Sequence, residues 1–305
     1  MTVGIPRALF YHRYGHLWES FFENLEIPYV VSEASSQKLL ADGIKYTVDE
    51  SCLPLKLYMG HVNSLLNRAD LLFVPRFVRQ GPKDEFCVRF WGLCDTVQST
   101  FKDARLLSYE LKSGRAAHEK AGFLKMGRVL GKSPAASLRA YHRAIQRQEE
   151  IDAKHHSAEA ARLKQKSQAP KILLAAQPYI VRDPLLGGGV AQILHALGGI
   201  PLTIDAWVLT LCKQKSAAIS AELYWLANRE ILGAIQMARG LVDGIILLTA
   251  FPCGSDCLAN ELVLRRVKDM PVIQIILDGQ EGQEGLMTRI ESFLDMIGQR
   301  RVLGA

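Results

Sequence analysis

Short apolar runs alternate with amphipathic stretches in two separate parts of this 305-residue chain. Val3-Gly4-Ile5 is an apolar run stopped by Pro6, and helical spacing follows over residues 8–24 through Leu9, Leu17, Trp18, Phe21 and Phe22. Tyr29-Val30-Val31 reads as a strand. Helices are expected over 36–41 and 54–67, with Pro54 suited to a first turn. Leu71 to Pro75 is a buried-type strand. The second part repeats the pattern, with strands at Ile172–Ala175, Pro201–Ile204, Val242–Leu248 and Val272–Leu277. Between them the spacing predicts helices after Gly187-Gly188-Gly189 and over 221–239, 255–267 and 286–297. Parallel strands need crossovers, and helices supply them, so the expected fold class is α/β with two parallel-sheet domains. The expected division is 1–105, a basic helical connector over 106–168, and 169–305. Ligands of open parallel sheets bind beyond the carboxyl ends of the strands, so the loops after strands are the places to seek chemistry.

The connector is set apart by its charge. The chain carries a net charge of +6. Residues 101–168 hold 15 Lys and Arg against 7 Asp and Glu, and four of the eight histidines, so the remainder is slightly acidic. Few β-branched residues interrupt 137–166, which reads as one long polar helix. A solvated connector, a docking surface for an acidic protein and a site for a phosphate-bearing ligand such as coenzyme A all fit. No aromatic-rich basic stripe accompanies the charge, which argues against nucleic acid. No apolar run reaches the roughly 18 residues of a membrane span, and Met1 to Arg7 lacks a signal-peptide layout. A cytoplasmic location is expected.

In a reducing cytosol the six cysteines are fillers, ligands or reactive thiols rather than a disulfide framework. Cys87 and Cys94 follow the Leu71–Pro75 strand, Cys253 and Cys257 follow the Val242–Leu248 strand, and Cys52 lies just before a helix. A helix N-terminus favours the thiolate, which suits Cys52 and Cys253, and Gly254 lets backbone N–H groups approach a ligand sulfur. The absence of any Cys-x2-Cys pair argues against a zinc ribbon or a ferredoxin-type run. Cys212, inside Val208-Leu209-Thr210-Leu211-Cys212, reads as a filler.

Several of these segments carry a family resemblance. Gly4-Ile5-Pro6-Arg7-Ala8-Leu9-Phe10-Tyr11, Val48 to Lys56, Gly60-His61-Val62 and Phe86 to Leu93 resemble the acyl-CoA dehydratase activase-related proteins. Tyr224-Trp225, Arg229 to Gly233, Asp243 to Ile246, Cys253-Gly254-Ser255-Asp256 and Glu284 to Glu291 extend the likeness, which thins over 105–168. That family, once listed as a domain of unknown function, is related to the 2-hydroxyacyl-CoA dehydratase subunits. The resemblance implies two flavodoxin-like domains with an iron–sulfur cluster in the cleft between them, held by three cysteines that map to Cys52, Cys87 and Cys253. Two cysteines depart from the family pattern: Cys94 stands where a Gly-Leu-Pro-Asp stretch is usual, and Cys257 where serine follows the aspartate. Each is either a fourth ligand, which would turn the site from substrate activation towards electron transfer, or a harmless small residue.

The chemistry implied is low-potential electron transfer or radical dehydration of an acyl-CoA. In the related dehydratases one strongly reducing electron makes a ketyl radical anion at the thioester, which expels hydroxide. A separate ATP-hydrolysing activator supplies that electron. This chain has no Gly-x4-Gly-Lys-Ser/Thr loop, and Gly187-Gly188-Gly189 lacks the lysine, so an ATP-driven donor is expected to be another protein. His61, Arg7 and Glu50 are the candidate catalytic residues: His61 as donor or proton shuttle, Arg7 as carboxylate or phosphate binder, and Glu50, with Asp49, as acid or base. Each also has a structural reading, as core histidine, ion pair or helix cap. A 4Fe–4S cluster is the expected cofactor. A double cubane, in an ATP-dependent reductase of small molecules, is the alternative and needs roughly six thiolates. A non-catalytic scaffold, with a cluster or zinc as structural glue, is another. The oligomeric state is left open.

Overall fold

The computed structural model describes residues 1–112, 116–279 and 283–303. The chain divides into two units, Met1–Asp152 and Ala153–Ala305.

Unit 1 begins β1 (Val3–Ile5), α1 (Tyr11–Asn24), β2 (Tyr29–Val31), α2 (Gln37–Ile44), α3 (Leu53–Leu65) and β3 (Leu71–Phe73). Next come short strands β4 (Arg76–Phe77), β5 (Arg79–Gly81) and β6 (Asp84–Glu85), and helices α4 (Val88–Trp91) and α5 (Leu93–Thr100). Strands β7 (Leu106–Leu107) and β8 (Glu110–Leu111) and helices α6 (Ala116–Val129) and α7 (Pro134–Lys164) follow. The main sheet is parallel in the order β2-β1-β3-β7, with Val3 opposite Tyr29 and Leu71, and Leu72 opposite Leu106. All three residues of β1 are buried, as a parallel strand covered on both faces requires.

Helix α1 starts three residues later than its spacing suggests. Leu9 takes a left-handed turn at φ 52°, which ends β1's continuation and starts the helix afresh. The helix then buries Leu17, Trp18, Phe21 and Phe22. Trp18 and Phe22 pack against Phe73 of β3 with ring centroids 5.0 and 5.6 Å apart. The Trp18 indole N–H donates to the Tyr109 hydroxyl at 3.2 Å. Helices α2 and α3 cross backbone to backbone: a Cβ on Gly43 would lie 1.8 Å from the Lys56 carbonyl oxygen, and one on Gly60 1.9 Å from that of Leu39.

Unit 2 contains β9 (Lys171–Ala175), α8 (Pro178–Val181), α9 (Gly188–Ala196), β10 (Ile200–Thr203) and α10 (Leu209–Lys215). It continues with α11 (Leu226–Ala238), β11 (Gly244–Ala250), α12 (Gly254–Arg266), β12 (Val272–Leu277) and α13 (Gln283–Leu303). The sheet is parallel in the order β10-β9-β11-β12, and β11 is buried throughout. Helices α10 and α11 also meet closely, since a Cβ on Gly233 would fall 1.7 Å from the Cys212 carbonyl oxygen.

The unit boundary falls within the sequence of α7. In unit 1 that helix is tied by Gln148, whose side chain accepts from Leu17 N at 3.0 Å and donates to Arg13 O at 3.0 Å. In unit 2 the buried Glu159 accepts from Thr203 N at 2.6 Å and from its hydroxyl at 3.0 Å. The stretch from 106 opens with strands that pair in unit 1, β7 with β3 and β8 with β4. Among the described residues no helix is long and apolar enough to cross a membrane.

Candidate functional site

Parallel topology places the loops after β1, β2 and β3 at one edge of unit 1. Cys52 is the N-cap residue of α3 and Cys87 that of α4, and both are half-buried. Pro54 has no N–H to leave unbonded, so it suits the first turn after Cys52. Past Cys87 the chain is clamped by Arg76, whose guanidinium forks onto the two Asp95 carboxylate oxygens at 2.8 Å each and reaches the Trp91 carbonyl at 2.8 Å. That guanidinium holds the Asp95 carboxyl below the usual carboxylate range.

The other expected residues of this unit take different environments. His61 is fully buried, with Nδ1 2.8 Å from the Ser32 hydroxyl and Nε2 3.0 Å from that of Ser35. The Ser32 oxygen also accepts from Arg7 N–H at 2.8 Å, so His61, Ser32 and the end of β1 form one chain of hydrogen bonds. The Arg7 guanidinium lies over the Tyr11 ring, 5.8 Å from its centroid. Glu50 and Asp49 are exposed. Cys94 is buried, its thiol donates to the Val74 carbonyl at 3.0 Å, and burial pushes its pKa up.

Three buried donor atoms here have no hydrogen-bond partner among the described residues: Arg7 Nε, Trp91 Nε1 and the Tyr58 hydroxyl. A buried donor left unpaired costs about 1–3 kcal/mol, so three of them in one unit call for an acceptor. Tyr58 belongs to the helix that Cys52 starts and Trp91 to the one that Cys87 starts. Tyr58 lines a small cavity of about 10 Å³ with Leu9, Phe10, Phe77, Phe90 and Leu93. Burial raises its pKa far above the ordinary phenol range, so it remains an O–H donor.

In unit 2, Cys253 is the half-buried N-cap residue of α12, directly after β11 and its short turn. Asp256, three residues on, is buried. Its carboxylate accepts from Asn228 Nδ2 at 2.7 Å, Gln177 Nε2 at 3.1 Å and Thr249 Oγ1 at 3.4 Å. Those donors come from α11, the turn after β9, and β11, so one carboxylate pins the first turn of α12 to three elements. Nothing lies within 4 Å of where a Cβ on Gly254 would sit, so steric need does not demand glycine there. Cys257 is exposed. Cys212 is fully buried, and burial pushes its thiol up to about 12.

Of the expected ligands, Cys52 and Cys87 start two helices of unit 1, Cys253 and Cys257 share one helix turn, and Cys94 lies in the core of unit 1. Among the described residues no three His, Cys, Asp or Glu side chains gather into a metal-holding group. An iron–sulfur cluster takes thiolates as ligands, and the half-buried N-cap cysteines have the chemistry such a group needs. Tyr58, Trp91, Gln177 and Asn228 were not among the sequence candidates. The only sequence signal for them was a polar group at an otherwise apolar or buried helix position.

The chain is a two-unit α/β protein with parallel sheets and a cysteine at the N-terminus of three helices. The chain belongs to the family described as the CoA enzyme activase uncharacterised domain, whose model matches residues 2–206. That stretch contains Cys52, Cys87 and Cys94, while Cys212, Cys253 and Cys257 lie beyond it. A tRNA N6-adenosine threonylcarbamoyltransferase of Geobacillus thermodenitrificans (strain NG80-2) is 36% identical over 111 residues, and the match spans 32% of each chain. This chain therefore spans about a third of that relative's length. Among solved structures, the SBP FpvC from Pseudomonas aeruginosa in complex with Mn2+ aligns over 98% of both chains at 10% identity and a TM-score of 0.27. A Cd-bound periplasmic metal binding protein from Candidatus Liberibacter asiaticus aligns over 98% of this chain and 99% of its own at 10% identity and a TM-score of 0.30. TM-scores this low establish no shared fold.

Proposed function

We propose that this is an iron–sulfur protein of the 2-hydroxyacyl-CoA dehydratase-related class, with flavodoxin-like units and Cys52, Cys87 and Cys253 as ligands of one 4Fe–4S cluster. The observation that carries the reading is the shared placement of the three thiols. Each is a half-buried N-cap residue, of α3, α4 and α12 in turn, whereas Cys94 and Cys212 are buried with their thiol pKa values pushed up. A double cubane would have to recruit those two buried thiols to approach six ligands, which favours a single cluster.

Such a cluster, when bound, supplies low-potential electron chemistry and, at any iron lacking a protein ligand, a Lewis acid. The chain's own contribution is position, donors and dryness. Arg7 Nε–H and Trp91 Nε1–H are donors for sulfur or for a substrate oxygen, and Tyr58 offers an O–H that stays protonated. The aromatic wall of Phe10, Phe77 and Phe90 excludes water. His61 holds the end of β1 through Ser32, and the exposed Glu50 is the proposed acid or base. The electron source is a separate ATP-dependent activator, and an acyl-CoA or another small molecule is the substrate. Arg139, Arg143 and Arg147, exposed at four-residue spacing on α7, suit an acidic partner. A reducing cytoplasm keeps the thiols available as ligands.

Serine substitution tests the ligand set. In anaerobic preparations Cys52→Ser, Cys87→Ser and Cys253→Ser each strip iron, while Cys212→Ser keeps it. Iron retained in all four variants would overturn the assignment.

A further inference from the structure

We propose that Ser35 and His61 form a nucleophile–base pair for acyl transfer, oriented by Ser32, and that unit 1 cleaves activated acyl esters and thioesters through an acyl-serine. The reaction needs no iron, so it stands or falls separately from the cluster reading above.

The three residues come from two segments of unit 1 that the fold locks together. Ser32 follows β2 and is fully buried. Its N–H donates to the Ile5 carbonyl at 3.1 Å and its hydroxyl oxygen accepts the Arg7 N–H at 2.8 Å, so backbone and side chain are both fixed to the end of β1. His61 lies on α3 and is also fully buried. Gly60 beside it meets the Leu39 carbonyl in the first turn of α2, which sets His61 next to the segment leading into that helix. Its Nδ1 lies 2.8 Å from the Ser32 hydroxyl and its Nε2 3.0 Å from the Ser35 hydroxyl. Ser35 alone of the three is only half-buried, so it is the member that a substrate can reach.

This is the arrangement of an activated nucleophile: a hydroxyl within hydrogen-bond reach of a base, and the base held by a third group. The reactive tautomer has its hydrogen on Nδ1. A hydroxyl oxygen has two lone pairs, so Ser32 accepts that N–H as well as the Arg7 N–H. Nε2 is then free of hydrogen and accepts the Ser35 O–H. Ser35 stands immediately before Ser36, the N-cap residue of α2, whose hydroxyl accepts the Leu39 N–H at 3.3 Å. The earlier N–H groups of a helix have no carbonyl partner within it, and its positive end favours negative charge. An oxyanion formed by attack of Ser35 develops beside that helix start.

The orienting group decides the substrate class. A hydroxyl fixes the imidazole ring but does not neutralise the imidazolium that forms, as a carboxylate would. Such a pair suits acyl groups with a good leaving group, thioesters and aryl esters, rather than amides. In the first step the Ser35 oxygen bonds to the acyl carbon while its proton passes to His61 Nε2. The carbon–sulfur or carbon–oxygen bond then breaks, and the leaving group takes that proton. Water attacks the acyl-serine, His61 accepts its proton and returns it to Ser35, and the carboxylic acid leaves. No oxidation state changes.

The test treats the full chain with a fluorophosphonate, which modifies activated serines, and follows hydrolysis of p-nitrophenyl acetate. Wild type is expected to take one label per chain, on Ser35 by peptide mapping, and Ser35→Ala to take none and to lose turnover. His61→Gln is expected to slow labelling by about 10²–10⁴-fold. Ser32 is a positioning residue, so Ser32→Ala is expected to lower kcat with KM unchanged, and Ser32→Thr to restore it. Circular dichroism establishes that each variant is folded, and the half-buried Ser35→Ala decides the matter should the His61 variant not fold. A folded wild type that takes no label on Ser35, or a Ser35→Ala variant that hydrolyses the ester as fast as wild type, overturns the proposal. Either result leaves the iron content, and with it the cluster reading, untouched.

Discussion

At the scale of single residues, the informative contrast is between two buried tyrosines. Tyr109 accepts from the Trp18 indole, whereas the Tyr58 hydroxyl has no partner among the described residues. Tyr109→Phe leaves that indole unpaired and is expected to cost about 1–3 kcal/mol. Tyr58→Phe removes an unpaired hydroxyl, and the apo protein is expected to be as stable as wild type or more so. Urea denaturation of the two variants decides this, and a Tyr58→Phe loss as large as that of Tyr109→Phe would show that the hydroxyl is satisfied without a ligand. Glu119 gives a pH-dependent case. Burial raises its pKa, only partly offset by the Tyr141 hydroxyl at 3.3 Å. An acid whose pKa is higher folded than unfolded loses stability as pH rises above its unfolded value, because the unfolded chain gives up the proton first. Glu119→Gln is therefore expected to raise the melting temperature at pH 7, with the gain shrinking towards pH 4. A variant less stable at pH 7 than at pH 4, relative to wild type, would contradict that. None of this was legible in the sequence: Tyr58 and Glu119 look like ordinary helix residues until packing decides what surrounds their polar atoms.

At the scale of elements, a close helix crossing packs the helix that Cys52 starts. Gly43 and Gly60 let α2 and α3 touch backbone to backbone, and Cys52 starts α3. Gly60→Ala would force those helices apart and is expected to destabilise by at least about 1–3 kcal/mol, read by thermal unfolding. An unchanged melting temperature would mean that the crossing is looser than drawn. The strands β1, β3, β9 and β11 were legible because each is a run of apolar residues bounded by proline, glycine or aspartate. The two-residue strand β7 was not, since Leu106-Leu107 carries too little pattern and becomes a strand only by pairing with β3. The long polar helix over 137–166 was visible, but its anchors were not. Gln148 and Glu159 read as surface residues, and only their backbone partners at Leu17, Arg13 and Thr203 show why they are buried.

At the scale of the whole molecule, the cysteines were the most legible part of the site and their environments the least. Position in sequence separated Cys212 from the rest, but spacing could not separate Cys94 from Cys52 or Cys87. Burial did, by leaving the first a core thiol and the others half-buried at helix starts. The family match covers Cys52 and Cys87 and stops at residue 206, so the contribution of Cys253 rests on its own placement before α12. The proposed function requires a bound iron–sulfur group. The most direct measurement is iron and acid-labile sulfide per chain in protein purified without oxygen. A brown protein with equal iron and sulfide, about four of each per chain, is the predicted result. A colourless protein without iron, whose Cys52, Cys87 and Cys253 all tolerate serine, would contradict it.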